Sequence, residues 1–246
     1  MLFFGPGDSY LILKIMGVVA FMIIGTRSLL RLGISLSKAL IICTVGVIAA
    51  FTTSRAWYIV QHIFGREPYF SNNWATLWDE AGSVLYGWIL GGFLALFALC
   101  RLMKLNFLKV SDSLSIGMLA AQVLNRLGCH AAGCCYGKPL NSFWSVYNPS
   151  IGQRLHPVQL YEAAFDIALI TVIQTQKKNF DGKKTLIYFI GYSAGRFVLE
   201  FFRGDNLPTI FGLTVPQLTS LAILLAVFFI RFFRPDPPPH PSGAQR

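Results

Sequence analysis

Six ionisable residues able to handle an anion fall in two stretches of this chain. Arg126, His156 and Glu162 lie in the stretch from Asn125 to Glu162, and Arg196, Glu200 and Arg203 lie in a second. Tyr192, Arg196, Glu200 and Arg203 follow one another at spacings of four, four and three, which puts them on one stripe of a helix. Arg196 can pair with Glu200, and Glu200 with Arg203, along that stripe. Two arginines against one glutamate leave it net positive, and Arg126 adds a further guanidinium. The planar guanidinium fork suits phosphate, so the stripe reads as an anion site. A self-satisfied ion network that only fixes helix packing is the competing reading.

A second chemistry lies beside the first. Cys129, His130, Cys134 and Cys135 crowd seven positions, with His156 further on. Such clusters can bind zinc, which takes four nitrogen or sulfur ligands, but the spacing lacks paired Cys-x-x-Cys hooks. No metal is therefore assigned, and no cofactor is expected. A disulfide from Cys129 to Cys134 or Cys135, buried packing thiols, and a catalytic or redox thiol all stay open. Cys43 and Cys100 sit in apolar stretches and read as packing residues.

The elements that must carry these residues are membrane helices. Of 246 residues, 54% are hydrophobic and only 13% charged, too few to cover a soluble domain. Mean hydropathy is +0.55. A bilayer core needs about 20 mostly apolar residues per helix. Seven runs qualify: 10–30, 37–64, 82–103, 111–127, 158–176, 185–202 and 215–233. None alternates in and out over short segments as barrel strands do. The expected fold is an all-α integral membrane protein, about seven transmembrane helices in one bundle.

The net charge of +10 is explained by its placement. Arg27, Arg31 and Lys38 flank the first connection, Arg101, Lys104 and Lys109 the third, and Lys177, Lys178, Lys183 and Lys184 the fifth. Arg231, Arg234 and Arg246 close the chain, whereas the intervening connections carry Glu67, Asp79, Glu80 and Asp205. Lysine and arginine mark the cytoplasmic side, so the N-terminus is expected outside and the C-terminus in the cytoplasm. The positive charge then meets anionic lipid, and no nucleic-acid partner is expected. No cleavable leader is recognised, so the first span is expected to be retained. Residues 1–234 form one membrane domain, and the Pro-rich tail 235–246 is expected to be disordered. On this topology Arg126, His156, Glu162, Arg196, Glu200 and Arg203 converge near the outer half of the bilayer, where a phospholipid headgroup is the local anion. Gly128, Gly133 and Gly137 surround the turn between spans four and five. Gly82, Gly87, Gly91 and Gly92 are expected to let a helix approach span three closely.

The segment His156-Pro157-Val158-Gln159-Leu160-Tyr161-Glu162 resembles the His-Pro-x-Gln-Leu-Tyr-Glu signature of bacterial prolipoprotein diacylglyceryl transferases. Arg196-Phe197 through Glu200 to Arg203 is similar to their Arg-Phe-x-x-Glu-x-x-Arg segment. Arg126-Leu127-Gly128 with Gly133 and Gly137 resembles their Arg-x-Gly-Asn loop, and Tyr10 stands where the family has a tyrosine opening the first span.

The resemblance implies a multi-pass enzyme of the bacterial cytoplasmic (inner) membrane. Family members move a diacylglyceryl group from phosphatidylglycerol to the cysteine thiol of a lipoprotein signal peptide, releasing glycerol phosphate. Arg126, Arg196 and Arg203 would then hold the phosphate, and Glu200 would orient Arg196. Tyr10 and Tyr192 would hydrogen-bond the headgroup or acceptor. Gly137, His156 and Glu162 belong to the substrate-binding set, with His156 and Glu162 ordering the loop. Two departures stand out. Tyr86 replaces a family histidine proposed to help activate the thiol, and a phenol with pKa near 10 is a poorer base. Cys129 and Cys134 stand where the family has Asn and Glu. Three functions therefore compete: this transferase or a relative with another acceptor, a thiol or redox membrane enzyme using Cys129, Cys134 and Cys135, and a non-catalytic lipid-binding protein.

Overall fold

The computed structural model describes residues 6–64, 85–176, 181–206 and 212–233. Seven helices run through them in chain order: α1 (Pro6–Leu30), α2 (Leu36–Phe64), α3 (Leu85–Leu102), α4 (Phe107–Ala132), α5 (Val158–Thr175), α6 (Lys183–Leu199) and α7 (Val215–Phe233). Each apolar run of the sequence carries one of them. Leu11, Ile15, Val19 and Ile23 recur every fourth residue on an exposed face of α1, and Leu225, Phe228 and Phe229 are exposed on α7. Apolar faces of this kind suit hydrocarbon, which solvates them at no hydrophobic cost. Asp8–Leu30, Leu36–Trp57 and Phe107–Ala132 are long and apolar enough to cross a bilayer; Gly87–Leu102 and Val215–Phe229 are shorter apolar helices. This is a helical membrane protein.

Two buried clusters hold the bundle. Phe21, Leu29, Ile42, Cys43, Cys100, Val110 and Leu114 join α1 to α4, and Cys43 and Cys100 are packing residues as expected. Leu119, Leu169, Ile173 and Tyr188 join α4, α5 and α6. The glycines of α3 do bring a helix close: a Cβ on Gly87 would lie 2.3 Å from Ser54 Cα, and one on Gly91 would lie 2.5 Å from the Ala49 carbonyl oxygen. Gly82 lies outside the described residues, as does the tail 235–246.

Three of the boundaries that differ from the sequence reading do so for a plain local reason. Helix α4 starts early because the Asn106 side chain accepts from the Leu108 and Lys109 amides. It runs on to Ala132 because Gly133, at φ 70°, takes the left-handed cap and donates to the Cys129 and His130 carbonyls. Cys129 and His130 therefore ride on the last turn of α4. Helix α6 begins at Lys183 because buried Asp112 of α4 reaches across to its open end. Its carboxylate accepts from the Gly182 amide at 2.9 Å, and from the Thr185 amide and hydroxyl at 2.8 Å each. Cutting that carboxylate away in Asp112→Ala should cost about 2 kcal/mol, read as a lower melting temperature in detergent. An unchanged melting temperature would mean that α6 starts without it.

The α4–α5 connection adds two short antiparallel strands to the helical bundle, β1 (Val146–Asn148) and β2 (Gln153–Leu155). Residues 136–140 thread between this hairpin and the chain after α6. Lys138 donates its amide to the Phe202 carbonyl at 2.8 Å, and its own carbonyl accepts from His156 at 3.0 Å. The end of α6 is thus stitched to the start of α5.

Candidate functional site

Helix α6 stops at Leu199 and tightens into a 3-10 turn, Glu200–Phe202, instead of staying α-helical to residue 202. The polar stripe survives the change. Arg196 Nη2 pairs with Glu200 Oε2 at 2.9 Å, and Arg203 Nε lies 3.9 Å from the same oxygen. The stripe does not stand alone, however. Glu162, on the first turns of α5, meets all three arginines. Its Oε2 is 2.5 Å from Arg126 Nε, its Oε1 accepts from Arg196 Nη1, and Arg203 Nη1 lies 3.6 Å away. A residue expected to order the loop is the hub of the cluster.

More carboxylate surrounds the arginines than the spacing implied. Asp205 takes Arg203 in a two-pronged pair at 2.9 and 2.6 Å. Asp166, only 2% exposed, lies within electrostatic reach of Arg126, Glu162 and Arg196. The expected surplus of positive charge is thus offset within the protein itself. What the cluster keeps is unused donors. Arg196 Nε is buried without an acceptor, and Arg126 makes no hydrogen bond through its Nη groups among the described residues. A guanidinium carries five N–H donors, so both arginines can grip an added oxyanion without giving up Glu162.

Packing sets this geometry. A Cβ on Gly195 would lie 2.2 Å from the Phe165 ring, and one on Gly191 would lie 2.6 Å from Leu169. These glycines let α6 lie against α5 so closely that Arg196 reaches Glu162. Gly195→Ala should prise the helices apart, cost about 1–3 kcal/mol and lower activity more than the nearby exposed change Val198→Ala. Equal stability and activity in the two variants would count against this packing role. Glu200 is held by Asn206, whose amide donates to Oε1, and by the Thr214 hydroxyl at 2.9 Å. Tyr192 lies within electrostatic reach of Arg126 and Arg196, and its ring stacks on Tyr188 at 5.9 Å.

The other expected residues divide in two. Tyr10, on α1, packs against Gly128 and lies within electrostatic reach of Arg126 and of all three clustered cysteines, so it links the two chemistries. Gly137 and His156 instead shape the rim. A Cβ on Gly137 would lie 2.5 Å from His156 Cβ, and Gly137 bridges Arg203 across the chain. The His156 ring packs 5.4 Å from Phe202 and its Nδ1 lies 3.4 Å from the Tyr161 hydroxyl. Tyr86 falls on the first turn of α3, with its side chain outside the described residues.

The three cysteine sulfurs do come together. All five cysteines are free thiols, and the Sγ atoms of Cys129, Cys134 and Cys135 lie within 4.8 Å of one another. Cys135 has φ 58°, a left-handed turn uncommon for a side-chain-bearing residue. Gln159 of the His-Pro segment fixes the loop by donating to the Cys134 carbonyl at 2.6 Å. The Cys134 thiol donates to the Cys129 carbonyl at 3.6 Å, and the neighbouring Cys129 and Cys134 sulfurs, with Arg203 and Arg126 beyond, lower the Cys135 thiol from its ordinary range.

Sequence reasoning passed over Asp166 and Lys14. Asp166 follows Glu162 by four, the spacing already used for Arg196 and Glu200, so that signal was available. Lys14 follows Tyr10 by four, and its ammonium lies 5.4 Å from the Tyr10 ring centre. Asn206 and Thr214 carry no local signal, since only the chain's path brings them to Glu200.

Fold and site together define a helical membrane protein with a buried arginine–carboxylate cluster set against a cluster of thiols. Residues 7–233 match the family described as prolipoprotein diacylglyceryl transferase, and the chain belongs to it. A phosphatidylglycerol–prolipoprotein diacylglyceryl transferase of Clostridium tetani is 29% identical over 224 residues, covering 87% of this chain and 88% of that protein. A second such enzyme of Clostridium perfringens is 35% identical over 178 residues, 65% of this chain and 69% of its own length. The one from Finegoldia magna is 30% identical over 222 residues, 88% and 87%.

Proposed function

We propose that the protein transfers a diacylglyceryl group from phosphatidylglycerol to the cysteine thiol of a lipoprotein signal peptide. Its family membership and the activity for which its relatives are named support the reaction. The observation that carries the chemistry is the set of guanidinium donors without an acceptor among the described residues, Arg196 Nε and the Arg126 fork, on two arginines that Glu162 holds together. Arg126 and Arg196 bind the lipid phosphate, and Arg203 with Glu162 and Glu200 holds them in place. As the thiol gives its proton to water and its sulfur bonds to the glyceryl carbon, the carbon–oxygen bond to phosphate breaks and the electron pair leaves on that phosphate. The arginines meet charge as it grows, where a fixed cation contributes most. Tyr10 and Tyr192 orient headgroup and acceptor.

The chain crosses the cytoplasmic membrane seven times with its N-terminus outside, following its lysine and arginine placement. The site then opens to the outer leaflet, where signal peptides emerge. The gathered sulfurs also fit a thiol-handling enzyme, in which thiol-blocking reagents abolish activity and arginine changes matter less. Phosphorus NMR separates these readings. With purified protein and a peptide carrying the signal cysteine, the phosphodiester signal of phosphatidylglycerol should give way to that of a phosphomonoester. Arg126→Ala and Arg196→Ala should suppress the change. Intact phosphodiester, or full activity in both variants, would sink the proposal.

A further inference from the structure

Cys129, on the last turn of α4, and Cys134 and Cys135, just beyond it, bring three sulfurs to one place. Neighbouring residues on an extended chain point to opposite faces, yet Cys134 and Cys135 both turn toward Cys129. The left-handed turn at Cys135 allows it, and Gln159 braces the same loop. Three sulfurs within 4.8 Å of one another need only small shifts to share one metal ion. A zinc–sulfur bond of about 2.3 Å places tetrahedral thiolate ligands about 3.8 Å apart. Among the described residues no fourth ligand joins the group. Three protein ligands with one position open is the pattern of a catalytic zinc, whereas structural zinc is closed by four.

Building on the transferase reading above, we propose that Cys129, Cys134 and Cys135 bind a zinc ion whose open position takes the sulfur of the acceptor cysteine. Three thiolates around Zn(II) carry one net negative charge, and Arg126, Arg203 and Lys14 lie within electrostatic reach of these cysteines to balance it. Coordination releases the acceptor's thiol proton to water and leaves a zinc-bound thiolate. That sulfur then forms the bond to the glyceryl carbon while the electron pair of the breaking carbon–oxygen bond leaves on phosphate. Neither an oxidant nor a reductant is consumed. Tyr10 lies within electrostatic reach of both the three cysteines and Arg126.

The test begins with the full chain purified in detergent under reducing conditions, dialysed with Zn(II) and then with Co(II) as a visible probe. One equivalent of zinc per chain should be retained, and cobalt should give thiolate charge-transfer absorption. A signal peptide with its cysteine should shift the cobalt ligand-field bands; the same peptide with serine should not. Cys134→Ser, at an exposed residue, should weaken zinc binding by roughly tenfold or more while the melting temperature of the metal-free protein is unchanged. Cobalt without charge-transfer absorption, a disulfide in place of bound metal, or full transfer activity after chelation would each overturn the zinc site and leave the proposed function standing. A cobalt spectrum that answers to the peptide thiol, with no lipid transferred, would overturn the proposed function instead.

Discussion

Arg196→Lys should yield a folded protein that transfers lipid about a hundredfold more slowly, close to 3 kcal/mol of transition-state stabilisation. Lysine keeps the positive charge between Glu162 and Glu200, so the buried carboxylates are not abandoned. It loses the planar fork, and with it the Nε donor that has no acceptor among the described residues. Arg196→Ala is a harsher change and a less informative one. It strands two buried carboxylates, and breaking a buried pair this way costs about 3–5 kcal/mol in stability alone. The lysine variant separates phosphate recognition from folding. Steady-state rates at saturating phosphatidylglycerol, beside a thermal melt, give the comparison. A normal rate in a normally folded Arg196→Lys protein would reduce Arg196 to a structural ion.

Glu162→Gln should divide binding from turnover. Glu162 touches Arg126, Arg196 and Arg203, so its charge sets how positive the site is before lipid arrives. Glutamine keeps the shape and one acceptor oxygen but removes the charge. The more positive site should bind the phosphodiester more tightly, lowering KM. It should hold the departing phosphomonoester, which carries more charge, more tightly still, lowering kcat by about tenfold or more. Stability should fall by on the order of 3 kcal/mol, because three guanidiniums then share less counter-charge. Initial rates over a range of phosphatidylglycerol concentrations show the split. A purely loop-ordering Glu162 predicts a loss of stability with KM unmoved.

The helices were legible because the bilayer imposes a length and a composition on each, and those are local properties of sequence. The Tyr192–Arg196–Glu200–Arg203 stripe was legible for a similar reason: its spacing survives even where the helix tightens into a 3-10 turn at Glu200. Glu162 was read as one of the converging residues, but not as the group that meets all three arginines, because that depends on how closely α5 and α6 pack, and the packing rests on Gly191 and Gly195 meeting Leu169 and Phe165. Asp112 lies within an apolar run of the sequence, and only the fold shows it capping the next helix but one. The cysteine spacing gave no metal pattern because the turn that gathers the sulfurs sits at Cys135, a non-glycine residue with positive φ. Nothing in the residue type announces that turn.

The central claim is that lipid passes to a peptide cysteine while the arginines take the phosphate. Mass spectrometry of a synthetic signal peptide, incubated with the purified protein and phosphatidylglycerol deuterated in its diacylglyceryl part, tests it most directly. The peptide should gain the mass of one deuterated diacylglyceryl group on its cysteine, and a cysteine-to-serine peptide should gain nothing. An unmodified peptide, beside a relative from the same family that modifies it under the same conditions, would contradict the account.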